Sequence, residues 1–116
     1  MRVGIIGAGI SGLALGATLH RGGVDVQLYE RHGHIRGTGA GITLAENGLT
    51  ALDALGIGAA FRHRQWGQTL VRGGIRCPEG EWLSCIPADG LGIDRAELHT
   101  LLLKHLPETL VHTSAE

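Results

Sequence analysis

A glycine pattern near the start of the chain restricts the fold more than any other feature. The run Gly7–Gly12 has the spacing G-x-G-x-x-G, and it directly follows the apolar run Val3–Ile6. Because glycine-rich strings of this length also arise by chance, the meaning of the pattern depends on the elements around it. A short run rich in β-branched residues is typical of a buried parallel strand.

The residues after the glycines complete a strand–helix–strand unit. Apolar residues from Gly12 to about Arg21 fit a helix, and Gly22-Gly23 is expected to end it. Between Val24 and Glu30 apolar and polar residues alternate, which predicts a second strand. Three such elements in succession predict a βαβ unit with a right-handed crossover.

Each part of this unit suits the binding of a dinucleotide. Gly7 permits a tight turn, Gly9 lets the backbone approach a pyrophosphate, and Gly12 lets the helix pack close to the strand. The helix N-terminus offers N–H donors and a partial positive charge to phosphates. Glu30 can accept hydrogen bonds from ribose hydroxyls, and its charge disfavours NADP at this site. The alternative, a βαβ unit that binds nothing, leaves the glycine spacing together with Glu30 unexplained.

The middle of the chain predicts a loop, a helix and a hairpin. Four glycines and little periodicity indicate a loop over residues 31–43. Asn47 is a candidate cap or turn residue before an amphipathic helix that ends at Gly56. Residues 69–76 and 82–86 are predicted to form an antiparallel hairpin around a turn at residues 78–80.

The last third of the chain predicts one helix and one further strand. Asp94 is a candidate N-cap, with Glu97 as its capping-box partner. Residues 110–112 are predicted to add the next strand to the parallel sheet. The apolar face of the helix is expected to consist of Leu98, Leu101, Leu102 and Leu106.

Composition narrows the class of protein. A chain of 116 residues predicts one domain, and a formal net charge of −1 gives no basic excess that would suggest nucleic acid. Glycines interrupt the N-terminal apolar run, and no run approaches a membrane span, so we expect a cytoplasmic protein without membrane contact. Cys77 and Cys85 do not suggest a disulfide framework, and the spacing of the seven histidines predicts no metal site.

Three segments together resemble one enzyme family. They are the glycine run with Tyr29-Glu30-Arg31, the stretch from Gly39-Ala40-Gly41-Ile42-Thr43-Leu44 to residues 51–56, and Ile93-Asp94-Arg95-Ala96-Glu97-Leu98. The chain resembles the N-terminal part of the class A flavoprotein aromatic hydroxylases, FAD-dependent monooxygenases related to salicylate and para-hydroxybenzoate hydroxylase. The resemblance implies an α/β fold: a Rossmann-like βαβ unit with a helical segment and an antiparallel hairpin.

The resemblance also implies FAD as the cofactor and assigns roles to its neighbours. Glu30 would hold the adenosine ribose, and Arg31 would lie along the adenine–ribose portion, or else be an exposed loop charge. The backbone from Gly39 to Ile42 would approach the flavin ring or the ribityl chain. Arg95 would reach the pyrophosphate or ribityl region, or else be a solvated residue of the first helical turn. The predicted cofactor-binding residues are Gly7, Gly9, Ile10, Ser11, Gly12, Glu30, Arg31, Gly41, Ile42 and Arg95.

The resembled family has parts that these residues do not provide. Its second FAD motif, which contains a Gly-Asp pair, and most of its substrate-binding sheet have no counterpart in residues 1–116. We therefore expect a partial FAD-binding domain, with NAD(P)H as co-substrate only in the full-length family and no catalytic residue of its own. A sheet edge left exposed predicts self-association or a complementary polypeptide.

Two other functions stay open at this point. One is a different oxidoreductase, either an NAD-dependent dehydrogenase domain or an amine-oxidase-like flavoprotein. The segments from Gly39 to Gly56 and around Arg95 argue against it. The other is a fragment or partner subunit that binds nucleotide without turnover.

Overall fold

The computed structural model describes residues 1–35, 41–63 and 67–115. These residues form two compact units, Met1–Ala40 with Arg95–Glu116, and Gly41–Asp94. In chain order the elements are β1 (Arg2–Ile6), α1 (Ile10–Arg21), β2 (Asp25–Tyr29), β3 (Gly41–Ala45), α2 (Glu46–Ala54), α3 (Gly58–His63), β4 (Gly67–Arg76), β5 (Trp82–Asp94), α4 (Arg95–Leu103), a 3-10 turn (Glu108–Leu110) and β6 (Val111–His112).

The first unit is built on a three-stranded parallel sheet in the order β1-β2-β6. Ile5 of β1 lies opposite Leu28 of β2, and both side chains are buried. β6 extends the sheet on the other side of β2, where Val111 lies opposite Leu28. The βαβ unit and a further parallel strand are therefore confirmed, and with them the α/β class, but this strand is Val111–His112, because Leu110 belongs to the 3-10 turn.

Helix α1 begins two residues before the predicted start at Gly12. Gly9 is its N-cap in extended conformation, and the N–H of Leu13 donates to the carbonyl of Gly9 at 2.9 Å, so Ile10 already belongs to the first turn. The helix ends at Arg21, and Gly23 has a φ of +74°. A left-handed backbone conformation just after a helix end favours glycine at that position, which agrees with the predicted stop.

Helix α4 packs its apolar face inside the first unit. Leu98 and Leu102 are buried as predicted and Leu101 is only half-buried, whereas Leu106 is buried but lies beyond the end of α4 at Leu103. The third buried residue of α4 is His99, with 4% of its surface exposed. An ionisable side chain in such a position requires a hydrogen-bond partner.

The second unit is a three-stranded antiparallel sheet in the order β3-β5-β4 with two short helices. The predicted hairpin is confirmed, but β5 is longer than predicted and runs from Trp82 through Pro87 to Asp94. Pro87 lies opposite Arg72, next to a shift in strand register. Proline has no N–H to donate to a neighbouring strand and is found at such irregularities.

Two predictions for the second unit are wrong. Residues 41–43, predicted as the end of a loop, belong to strand β3, because Gly41–Ala45 pairs with Gly90–Asp94. Asn47 does not cap α2: the N-cap is Ala45, since the strand continues directly into the helix, and the side chain of Asn47 accepts a bond from Gly48 N–H.

The predicted stop at Gly56 agrees with the end of α2. Gly56 has a φ of +79°, its N–H donates to Asp53, and the N–H of Ile57 donates to Leu52. These two bonds form a Schellman motif, which satisfies carbonyls at the helix end.

No helix among the described residues is long and apolar enough to cross a membrane.

Candidate nucleotide-binding site

The glycine turn joins β1 to α1, and close packing requires glycine at only one of its three glycine positions. Gly7 has a φ of +97°, and its N–H donates to the carbonyl of Tyr29 at 2.7 Å. A Cβ at Gly12 would overlap the carbonyl oxygen of Gly7. The side of Gly9, in contrast, is open, because a Cβ there would meet no atom within 4 Å. Close packing thus accounts for Gly12 but leaves the glycine at position 9 unexplained.

The first turn of α1 is suited to an anion. Its N-cap is a glycine, so no side chain caps the helix, and the first turn contains no acidic residue. The first hydrogen bond within the helix is made by the N–H of Leu13. The N–H groups of Ile10, Ser11 and Gly12 therefore face the end of the helix, where they are available to water or to a ligand.

The carboxylate of Glu30 lies beside this turn at the end of β2. Its Oε2 accepts a hydrogen bond from the N–H of Ala8 at 2.9 Å. Its Oε1 accepts one from the N–H of His32 at 3.0 Å and lies 2.6 Å from Nδ1 of the same residue. Only 14% of the Glu30 side chain is exposed, so these bonds fix its orientation.

Those hydrogen bonds also keep Glu30 ionised. The N–H groups of His32 and Ala8, followed by the His32 ring, lower the pKa of Glu30 from 4.5 to about 2. A carboxylate that accepts several N–H bonds loses them when it is protonated, which is why its pKa falls. At neutral pH the site therefore presents a charged group that only accepts hydrogen bonds.

A cavity of about 200 Å³ brings three predicted site residues together. Gly9 comes from the glycine turn, Glu30 from the end of β2 and Arg95 from the start of α4. The cavity therefore combines an acceptor, a guanidinium and an open stretch of backbone. Its lining residues are Ala8, Gly9, Glu30, His32, His34, Ile35, Arg95 and His99.

The other predicted residues are not among those that line the cavity: Gly7, Ile10, Ser11 and Gly12 belong to the adjoining glycine turn and first turn of α1, and the rest lie elsewhere. Arg31 is exposed and does not line this cavity. Gly41 and Ile42 lie in β3 of the other unit, opposite Asp94 and Ile93. The predicted flavin contact at Gly39 and Ala40 falls outside the described residues.

Sequence reasoning missed three histidines at this cavity, His32, His34 and His99. His32 holds Glu30, and Nε2 of His99 lies 2.6 Å from the carbonyl oxygen of Ala8. A signal for His99 was present, because it lies one turn after Arg95 and shares a helix face with Leu98 and Leu102. An ionisable residue within an apolar stripe indicates a specific partner. No comparable pattern marks His32, which lies in irregular backbone.

The chain is similar to known flavoproteins over nearly its whole length. A sequence model of the family described as FAD binding domain matches residues 1–113. The chain is 40% identical over 119 residues to 2-heptyl-3-hydroxy-4(1H)-quinolone synthase of Pseudomonas aeruginosa, which covers 96% of the chain. It is 35% identical over 123 residues to a 3-amino-4-hydroxybenzoate 2-monooxygenase of Streptomyces platensis, which covers 98% of it.

The fold has a similar counterpart among solved structures. The crystal structure of HpxO from Klebsiella pneumoniae complexed with FAD and uric acid matches 98% of the chain with a TM-score of 0.77 and 27% identity. The chain spans 30% of the quinolone synthase, 31% of the Streptomyces enzyme and 31% of HpxO. The similarity thus covers nearly the whole chain but less than a third of each relative.

Proposed function

Because the chain belongs to the FAD binding domain family of the flavin-dependent aromatic monooxygenases, we propose that its first unit holds the ADP half of FAD. The full activity of which it forms a part would be hydroxylation of a small aromatic substrate with NAD(P)H and O2. Bound FAD would supply the redox chemistry, and the residues of this chain would hold and orient it.

One observation carries the proposal: Glu30 and Arg95 line the same cavity, and Gly9 opens into it. A pyrophosphate requires donors and positive charge, and a ribose diol requires an acceptor. The cavity provides both kinds of group. The N–H groups of Ile10 and Ser11 would bind the pyrophosphate at the helix end, with the guanidinium of Arg95 as a second partner.

Glu30 would accept hydrogen bonds from the ribose hydroxyls. Each carboxylate oxygen has two lone pairs, and the bond from Ala8 uses only one of those on Oε2. The charge of Glu30 at neutral pH would repel a 2′-phosphate, so the site favours the adenosine of FAD over that of NADP.

Two further residue roles and a cellular location belong to this proposal. Arg31 is exposed at the rim of β2, and it would lie along the adenine and ribose. Gly41 and Ile42 would approach the flavin through their backbone. The cytoplasm is the proposed location, since NAD(P)H, the electron donor that the proposal requires, is an intracellular compound.

Titration with FAD tests the cofactor assignment directly. Purified chain is titrated with FAD, followed by flavin fluorescence, and ADP is then added as a competitor. We expect saturable binding that ADP displaces and that Gly9→Val abolishes, because a side chain at the open glycine would occupy the place of the pyrophosphate. Folded wild-type protein that binds neither ligand would refute the proposal. Binding of NAD in preference to FAD would favour a dehydrogenase domain.

Turnover is tested separately, by NADH or NADPH oxidation in the presence of FAD. Oxidation that depends on an aromatic compound would support a monooxygenase activity in this chain. FAD binding without oxidation would support the alternative of a nucleotide-binding fragment or partner subunit, with catalysis requiring further polypeptide.

We also propose that the chain associates with a second copy, here through its hairpin, with a complementary polypeptide as the alternative partner. Ile75 lies opposite Ser84 and Gly73 opposite Ile86, so Ile75 and Ile86 share one face of the β4–β5 pair. Their side chains are 64% and 63% exposed. Neighbouring large apolar side chains exposed on one strand pair favour association, because burying them removes apolar surface from water.

A further inference from the structure

His99 forms a hydrogen bond between two distant parts of the first unit. Its Nε2 lies 2.6 Å from the carbonyl oxygen of Ala8, 91 residues away in the sequence. A carbonyl oxygen can only accept, so Nε2 carries the proton and donates it. The ring is 4% exposed and Ala8 is 3% exposed, so water cannot readily replace either partner.

The Ala8 residue is therefore held from both sides. Its N–H donates to Glu30, and its carbonyl accepts from His99. The carbonyl of Ala8 and the N–H of Gly9 belong to one planar trans peptide, in which the two groups point in opposite directions. By fixing the carbonyl of Ala8, His99 also fixes the direction of the Gly9 N–H at the N-cap of α1.

We propose that His99 is a positioning residue for the pyrophosphate site. It holds the Ala8–Gly9 peptide in the orientation in which the open side of Gly9 and the first turn of α1 face the phosphates. His99 lies one helical turn after Arg95, and both line the same cavity. Helix α4 would thus act on the phosphates in two ways. Arg95 would bind them directly, and His99 would hold the orientation of the glycine turn that binds them.

This inference rests on the proposed function but makes a separate claim. The proposed function concerns groups that would touch the cofactor, such as Glu30 and Arg95. His99 acts through Ala8, and its contribution depends on one donated hydrogen bond. Replacing it by an apolar side chain would fill the space but leave a buried carbonyl without a donor, which releases the peptide to reorient.

A matched pair of variants tests the claim. His99→Gln keeps an N–H donor, whereas His99→Met has a similar length and flexibility and no donor. Leu102→Val serves as the control, because it shortens a buried side chain of the same helix by one methylene group while leaving the hydrogen bond in place. ADP affinity is measured by calorimetry on each folded variant.

We expect His99→Met to weaken ADP binding about 10-fold, which corresponds to about 1.4 kcal/mol. His99→Gln should recover most of the ADP affinity. Leu102→Val should lower the melting temperature but leave the ADP affinity unchanged. Equal ADP affinity of the wild type and His99→Met would overturn the role of His99 while leaving the proposed function intact. Wild-type protein that binds no ADP would refute the proposed function, and this inference with it.

A second measurement decides the case in which His99→Met does not fold. Nitrogen-15 spectra of the wild type report which ring nitrogen of His99 carries the proton and whether the Gly9 amide responds to ADP. We expect a proton on Nε2 that exchanges slowly with solvent, and a shift of the Gly9 amide on ADP addition. A proton on Nδ1 alone, or a Gly9 amide unchanged at saturating ADP, would overturn the inference.

Discussion

Glu30 accepts a hydrogen bond from the backbone N–H of Ala8 at 2.9 Å, and this contact connects the end of β2 to the glycine turn. The two residues are 22 positions apart, and this bond connects the proposed ribose acceptor directly to the proposed phosphate turn. A change at Glu30 therefore affects both the ligand and the protein that holds it.

Glu30→Gln should weaken binding of ADP by about 10- to 100-fold, since hydrogen bonds to a charged acceptor are stronger than those between neutral groups. Glutamine is nearly isosteric, but one of its two terminal atoms is a donor instead of an acceptor. Either the Ala8 N–H or a ribose hydroxyl would then lose its partner. Calorimetric titration with ADP measures the change.

The control for that experiment is Asp25→Asn on the same strand. The carboxylate of Asp25 is exposed, accepts a bond from Arg2 at 2.7 Å and does not line the cavity. Asp25→Asn should leave ADP affinity unchanged. Equal loss in both variants would show a general effect of charge on β2 and not a ribose contact.

Gly12→Ala should lower the melting temperature, although alanine normally stabilises a helix by about 1 kcal/mol relative to glycine. The added Cβ would overlap the carbonyl oxygen of Gly7, and backbone cannot move aside cheaply. Gly48→Ala in α2 is the matched control, because its Cβ would lie 3.6 Å from Leu44, an ordinary contact. Thermal unfolding followed by circular dichroism should separate the two; a stabilised Gly12→Ala variant would contradict the packing role.

Local patterns in the sequence were sufficient to predict most of the fold. The strand β1, the strand β2 and the hairpin follow from periodicity and turn residues, which are properties of adjacent positions. Strand β3 was missed, because Gly41–Ala45 is a strand only through its pairing with Gly90–Asp94, far along the chain. The N-cap at Ala45 was missed for the same reason, since the incoming strand and not a capping side chain determines where α2 begins.

The site was predictable from sequence only at positions where the residue type itself indicates the role. The glycine turn, Glu30 and Arg95 were named from spacing and resemblance, and three of these positions meet at one cavity. The bond between His99 and Ala8 depends on how α4 packs beneath the turn, which no local pattern specifies. The bond between His32 and Glu30 likewise depends on the irregular backbone after β2.

Acid should reveal the contribution of Glu30 to stability. Its pKa is lowered from 4.5 to about 2 by the N–H groups of His32 and Ala8 and by the His32 ring, so the folded state favours the ionised carboxylate. The resulting stabilisation is fully present above about pH 4.5 and is lost as the pH falls through 2.

The difference in urea midpoint between the wild type and Glu30→Gln should therefore shrink as the pH falls from 4.5 to about 2. Asp25 and Glu79 also have lowered pKa values, but they are present in both proteins and cancel in the difference. A difference that stays constant down to pH 2 would show that Glu30 is not held by these bonds.

Ile75→Thr combined with Ile86→Thr should reduce self-association without unfolding the hairpin. Threonine is β-branched and keeps strand preference, but it exposes less apolar surface on the face that the two isoleucines share. Light scattering over a range of protein concentrations should show dimer formation by the wild type and a shift towards monomer in the double variant.

The control is Leu15→Thr on α1, where Leu15 is 50% exposed, and it tests whether any loss of apolar surface has the same effect. A wild type that stays monomeric at every concentration would refute the hairpin interface. Equal effects of Leu15→Thr and of the double variant would assign the association to general surface hydrophobicity.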